Sequence, residues 1–168
     1  WGGVDVLGQI ARIPGATWAM KALARFMLSR HPDPLQDDPA RFGFKTAEYD
    51  ILPGIPPYKW ESTRGLGGSF AYNAQETAAD ILSASELVDY LVDTVAKNGN
   101  VLINVGPDSY GRIPTIQQSP LLGLGDWMAL NGEAIYATRP WIRFKNEHGR
   151  ELRYTQTDTA LYAIVVGA

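Results

Sequence analysis

The sequence predicts an α/β protein. Hydrophobic runs of strand length alternate with amphipathic helical stripes from Val4 to Ala137, and strand-helix-strand-helix order is the pattern of a parallel sheet with helices laid over it. Beyond Trp141 the texture changes to a period of two. Arg153-Tyr154-Thr155-Gln156 and Leu161-Tyr162-Ala163-Ile164-Val165 flank a Thr157-Asp158-Thr159 turn, the signal of a β-hairpin. With 168 residues, 45% of them hydrophobic and 20% charged, the chain can bury a real core, which excludes a disordered or collagen-like polymer.

Taken in order, Val4–Leu7 reads as the tail of a buried strand. Pro14 to Arg30 reads as a helix offering Trp18, Leu23, Phe26 and Met27 to one face. His31 to Phe42 is a loop rich in proline and aspartate, with Asp37, Asp38 and Arg41 as charged members of a solvated turn. From Phe44 to Asn73 the chain sets Glu48 beside Tyr49 and Glu61 beside Trp60. The intervening PGIPP is too proline-rich to continue a helix and should bring a loop back to a new strand. A carboxyl group poorly solvated beside an aromatic ring suits proton donation, although a solvated surface glutamate looks the same in sequence.

Ser83-Ala84-Ser85-Glu86 is a capping box opening a helix whose stripe is Leu87, Val88, Leu91, Val92 and Val95, closed by Asn98-Gly99. Val101 to Val105 is a nearly unbroken apolar run, expected as a parallel strand covered on both faces and ended by Gly106-Pro107. Ser119 and Pro120 read as N-cap and first position of a helix with Leu121, Leu124, Trp127 and Met128, and Ala134 to Ala137 as the strand that follows.

Composition narrows the function. A formal charge of −3 with no long basic run leaves no electrostatic footprint for nucleic acid. With no cysteine, and with His31 and His148 far apart, neither a metal nor another cofactor is expected. No apolar run approaches the roughly 20 residues of a membrane span, so no membrane partner is expected and the compartment is open. A first residue of Trp suggests a fragment or a processed piece.

Five motifs, FKTAEYD, KWESTRG, SFAYN, KNGNVLINVGP and NGEAIYATRPW, run in order from Phe44 to Trp141. Together they resemble the second half of the α-L-fucosidases of glycoside hydrolase family 29. The resemblance implies about half of a (β/α)₈ TIM barrel over residues 1–141, followed over 142–168 by the first strands of a C-terminal β-sandwich. A rearranged three-layer domain is the competing architecture. It implies retaining hydrolysis of terminal α-L-fucose, the substrate being a fucosylated oligosaccharide or an aryl fucoside. Within TAEY, Glu48 falls on the family's acid/base glutamate. Phe70 falls on the aromatic that packs against the fucose methyl, with core packing as its other reading. Arg41 would be the remnant of an Arg-Trp-Gly sugar contact, and Trp60 a further contact. Glu61 would orient a sugar hydroxyl or rival Glu48 as proton donor. The family's nucleophilic aspartate aligns with Ile10, which has no atom able to attack an anomeric carbon, and nearby Asp5 sits at the strand's far end. A non-catalytic fucose-binding or assembly module is therefore the alternative function. A half-barrel with open strand edges and an apolar inner face of Val, Leu and Ile would also favour a homo-oligomer, in which Asp37 or Asp38 of a neighbouring copy could stand in for the nucleophile.

Overall fold

The computed structural model describes residues 45–167. The strand at Val4–Leu7, the helix from Pro14 to Arg30, and Asp5, Ile10, Asp37, Asp38 and Arg41 lie outside the described residues. The element order is β1 (Lys45–Glu48), β2 (Trp60–Gly65), α1 (Ala84–Ala96), β3 (Gly99–Asn104), α2 (Thr115–Asn131), a 3₁₀ turn (Gly132–Ala134), β4 (Arg139–Lys145), β5 (Leu152–Gln156) and β6 (Leu161–Val165). The protein is thus α/β, as its sequence predicts.

β1, β2 and β3 form a parallel sheet in that order. Register divides it into two faces, because successive side chains of a strand point to opposite sides. On one face Lys45, Trp60 and Gly99 are neighbours, as are Ala47, Ser62 and Val101. This is the face that α1 covers. Trp60 and Ser62 are fully buried there, the indole donating to the Lys97 carbonyl at 2.8 Å and the Ser62 hydroxyl bonded to that of Tyr90. The other face presents Thr46, Glu48, Glu61, Thr63, Asn100 and Leu102.

Two expectations change here. β3 is covered on one face only among the described residues, with Leu102 48% exposed on the other. That open face is polar apart from Leu102, so the apolar driving force expected for self-association is missing from it.

α1 carries its capping box as the sequence predicts. Ser83 accepts from the Glu86 N–H, while the Glu86 carboxylate accepts from the Ser83 N–H at 2.8 Å and from its hydroxyl at 2.7 Å. These bonds hold the Glu86 pKa below its ordinary 4.5, and the backbone and hydroxyl of Thr77 likewise lower that of Asp80 from 3.8. A carboxylate whose folded pKa is depressed stabilises the fold above its ordinary pKa, and that contribution is lost as pH falls through the depressed value. The first turn of α1 is therefore expected to loosen before its middle as pH falls below the ordinary carboxylate value and through the depressed one, read as falling amide protection at Ser83 and Glu86 relative to Val92. Equal protection changes along the helix would refute this. At the other end Asn98 adopts φ 72 and closes the helix.

α2 begins earlier than the sequence suggests. The Pro114 carbonyl accepts from both the Gln117 and the Gln118 N–H groups, so the helix is under way before Ser119, and Pro120 lies inside it at the cost of one backbone bond. The strand expected at Ala134–Ala137 is not formed. Ile135 and Tyr136 both donate to the Gly132 carbonyl, which curls the chain into a 3₁₀ turn. A strand missed in the sequence, β4, runs instead from Arg139 through the expected boundary at 141/142 and pairs with β5, which pairs in turn with β6, in an antiparallel meander.

α1 joins the layers. Leu87 packs with Leu66 and Ile81, while Val88 and Val92 pack with Val166 and receive Trp127, Ile135 and Ile164 around them. Beside this apolar seam lies a charged one. Asp93 accepts from Lys97 at 2.6 Å and from Arg153 of β5, and Arg153 also reaches Glu151 at 2.6 Å. Lys97 lies over the Phe144 ring of β4 at 4.7 Å. Burial alone would lower the Arg153 pKa, but the hydrogen bonds to Asp93 and Glu151 outweigh it and the net shift is upward.

Candidate active site at the carboxyl edge of the sheet

Glu48 is the last residue of β1, exposed on the open face, in register with Thr63. The chain then turns abruptly. Tyr49 has φ 50, a left-handed conformation that costs a non-glycine residue about 1–2 kcal/mol. Its N–H donates to the Thr63 carbonyl at 2.9 Å, and its hydroxyl accepts the Gly65 N–H at 3.1 Å. The ring meets Phe70 with centroids 5.2 Å apart. Arg64 lies between Tyr49 and Tyr90, 5.4 and 5.1 Å from the two ring centroids.

Phe70 belongs to the loop that follows β2. Its carbonyl accepts from the Asn104 side chain at 2.6 Å, which ties the loop to the end of β3. Glycine permits this close approach at both strand ends. A Cβ on Gly65 would lie 2.3 Å from the Ser69 carbonyl oxygen, and one on Gly106 would lie 2.7 Å from the Tyr72 nitrogen. The loop therefore rests directly on the carboxyl ends of β2 and β3.

Glu61 shares the open face with Glu48, one strand over and two residues earlier, next to Thr46 and Asn100. Ordinary strand rise and spacing put the two Cα atoms about 8 Å apart. The Thr63 hydroxyl donates to the Glu61 carboxylate at 3.5 Å.

Trp60 is corrected. The indole lies under α1 on the opposite side of β2 from Glu61, fully buried with its N–H satisfied by Lys97, so it cannot touch a sugar on the open face. Glu48, Glu61 and Phe70 remain at the open face and the strand ends; Arg41 lies outside the described residues. Tyr49 entered the sequence reading only as the aromatic beside Glu48, and two further residues, Arg64 and Asn104, were not singled out from sequence. Only Asn104 left a signal, as the polar end of an apolar strand just before Gly106-Pro107. Among the described residues no group of three His, Cys, Asp or Glu side chains could hold a metal, and no helix is long and apolar enough to cross a membrane.

A parallel sheet covered by a helix, with carboxylates on its open face and an aromatic loop laid over its strand ends, puts the chain in the class of parallel-sheet α/β proteins, a class in which ligands bind at the carboxyl edge of the sheet. More narrowly, the chain belongs to the alpha-L-fucosidase family, whose model matches residues 15–133. Tissue alpha-L-fucosidase of Macaca fascicularis is 37% identical over 124 residues, covering 73% of this chain and 26% of that protein. The human tissue alpha-L-fucosidase is 36% identical over 124 residues, 73% of this chain and 27% of that one. Among solved structures, an alpha-L-fucosidase superposes with a TM-score of 0.71 at 41% identity, covering 86% of this chain and 34% of that one. The chain thus spans about a quarter of the length of the curated relatives it matches.

Proposed function

We propose that this chain supplies the carboxyl-terminal half of the (β/α)₈ catalytic barrel of a retaining α-L-fucosidase, which releases terminal α-L-fucose from glycans or aryl fucosides. The observation that carries this reading is the placement of Glu48, exposed at the carboxyl end of the parallel strand β1, next to Tyr49, whose ring meets Phe70 of the loop that rests on the ends of β2 and β3. A solved relative, the Thermotoga maritima alpha-fucosidase in complex with fucose, superposes at a TM-score of 0.67 and 40% identity, covering 86% of this chain, and supports it.

In this reading a carboxylate, with Asp37 or Asp38 of a neighbouring copy as the candidates, attacks the anomeric carbon while Glu48 protonates the departing glycosidic oxygen; Glu48 then takes a proton from the water that displaces that carboxylate and frees the sugar. Glu61, deeper on the same face, orients a sugar hydroxyl. Phe70 walls the apolar C6 methyl, and Arg41 contacts the ring. Self-association in this reading uses the edges of β1 and β3, unpaired among the described residues, rather than an apolar face.

The purified chain is expected to release fucose from nitrophenyl α-L-fucoside, with α-L-fucose as the first-formed anomer by proton NMR. Titration calorimetry with L-fucose accompanies the assay. Binding without turnover would show a fucose-binding module instead, and neither binding nor turnover would sink the reading.

A further inference from the structure

We propose that Tyr49 is a positioning residue that locks the Glu48 end of β1 to the Phe70 loop, so that proton donor and sugar wall are held as one body. The proposal rests on the fucosidase reading above.

The first observation is strain. A tyrosine following a strand has no intrinsic reason to turn left-handed, yet Tyr49 does, with φ 50. Such a conformation persists only where the surroundings over-determine it, and it gathers at sites where geometry matters. The second is what holds it. Its backbone is tied to Thr63, its hydroxyl to the Gly65 N–H, and its ring to Phe70 and to the Arg64 guanidinium, which is in turn stacked on Tyr90 of α1. One side chain thus touches β2, the loop and, through Arg64, the covering helix. The third is exposure. Tyr49 is 36% exposed, so the ring is not there to fill the core. The strand end is also shaped around it, since a Cβ on Gly65 would come within 2.8 Å of the Tyr49 hydroxyl.

Glu48 is the residue directly before this turn, and its carboxyl direction follows the turn's dihedrals. Removing the hydroxyl leaves the buried Gly65 N–H without its acceptor. Removing the ring also frees Phe70 and lets residue 49 relax toward extended backbone. The donor and the methyl wall should then drift together.

The test uses Tyr49→Phe and Tyr49→Leu in the 168-residue chain. Substrates are phenyl α-L-fucoside, dinitrophenyl α-L-fucoside and the phenyl pentopyranoside that lacks the C6 methyl. For Tyr49→Leu, kcat on the phenyl fucoside should fall about 10–100-fold, and less on the dinitrophenyl fucoside, whose leaving group needs little protonation. Its preference for fucoside over pentopyranoside should fall by about ten-fold. Tyr49→Phe keeps the ring, so it should retain that preference while losing part of the rate on the poor leaving group. A purely structural role would lower all three rates in proportion, and that outcome overturns the proposal, as does full activity of both variants. Should the parent bind L-fucose without turnover, the ratio of its affinities for L-fucose and the methyl-free sugar becomes the readout, and an unchanged ratio in Tyr49→Leu overturns the proposal. A parent that neither turns over nor binds overturns the fucosidase reading and this proposal with it. An active parent with unaffected variants overturns only the latter.

Discussion

Glu48→Gln is expected to lower kcat on phenyl α-L-fucoside by about 10²–10⁴-fold, the usual contribution of a positioned general acid. The amide is nearly isosteric with the carboxyl group but has no proton to give an alkoxide or phenoxide, so the loss should concentrate in the chemical step and leave KM little changed. Glu48 is exposed and its side chain makes no hydrogen bond among the described residues, so the variant should melt with the parent. The leaving group makes the test sharp. A dinitrophenolate departs without help, and its rate of release should fall far less than that of phenol. If phenyl and dinitrophenyl fucosides slow equally, Glu48 is not the proton donor, and Glu61 on the same face becomes the residue to change.

The second large effect is on stability. Asp93→Ala is expected to cost about 3–5 kcal/mol, because it strips the shared anion from two cations that are themselves buried. Side-chain exposure is 13% for Asp93, 9% for Lys97 and 11% for Arg153, so water replaces the lost partner poorly, and Arg153 keeps only the solvent-exposed Glu151. For a chain of this size that corresponds to a fall in Tm of roughly 6–20 °C. The surface pairs behave differently. Arg112 with Asp108 and Arg139 with Asp158 have at least one partner more than half exposed, and breaking either should cost about 1 kcal/mol or less. Thermal melts of the single variants decide the matter, and a shift for Asp93→Ala no larger than for Asp158→Ala would refute the argument. Replacing Asp93, Lys97 and Arg153 together by apolar side chains should recover much of the loss, since the penalty lies in the orphaned charges and not in the missing attraction.

The difference between these two sites shows what the sequence could reveal. α1 was legible because its signals are local: a capping box, a helical stripe and an Asn-Gly stop lie within one short stretch, and the structure uses all of them. β5 and β6 were legible through their alternation. The orientation of Trp60 was also written in the chain, since a period of two in KWESTR sends Trp60 and Ser62 one way and Glu61 and Thr63 the other. The adjacency of Trp60 to Glu61 obscured it. Other features leave no local trace. The bond from Asp93 to Arg153 joins residues 60 apart, and nothing in either neighbourhood announces the partner. Tyr49 gives no warning of a left-handed turn, because tyrosine has no preference for one; only the contacts imposed by Gly65, Phe70 and Arg64 explain it. β4 was hidden for a third reason. Its run RPWIRFK holds a proline and lacks a clean alternation, and Ile142 is 81% exposed.

β4 bears on how pieces of such a protein can be exchanged or inherited. A recombination event or an engineered stop at Trp141, where the change of texture invites a cut, would divide β4 and remove its pairing partner β5. It would also strand Asp93 and Lys97 on α1 without Arg153. The residues that crown the open face would survive on paper, yet the helix beneath them would have lost Val166 from its apolar seam and Arg153 from its charged one. The heritable unit is therefore larger than the motifs of the candidate site: a donor segment that carries Glu48 and Phe70 must travel with the meander through Val166, or with a replacement that offers α1 the same two partners.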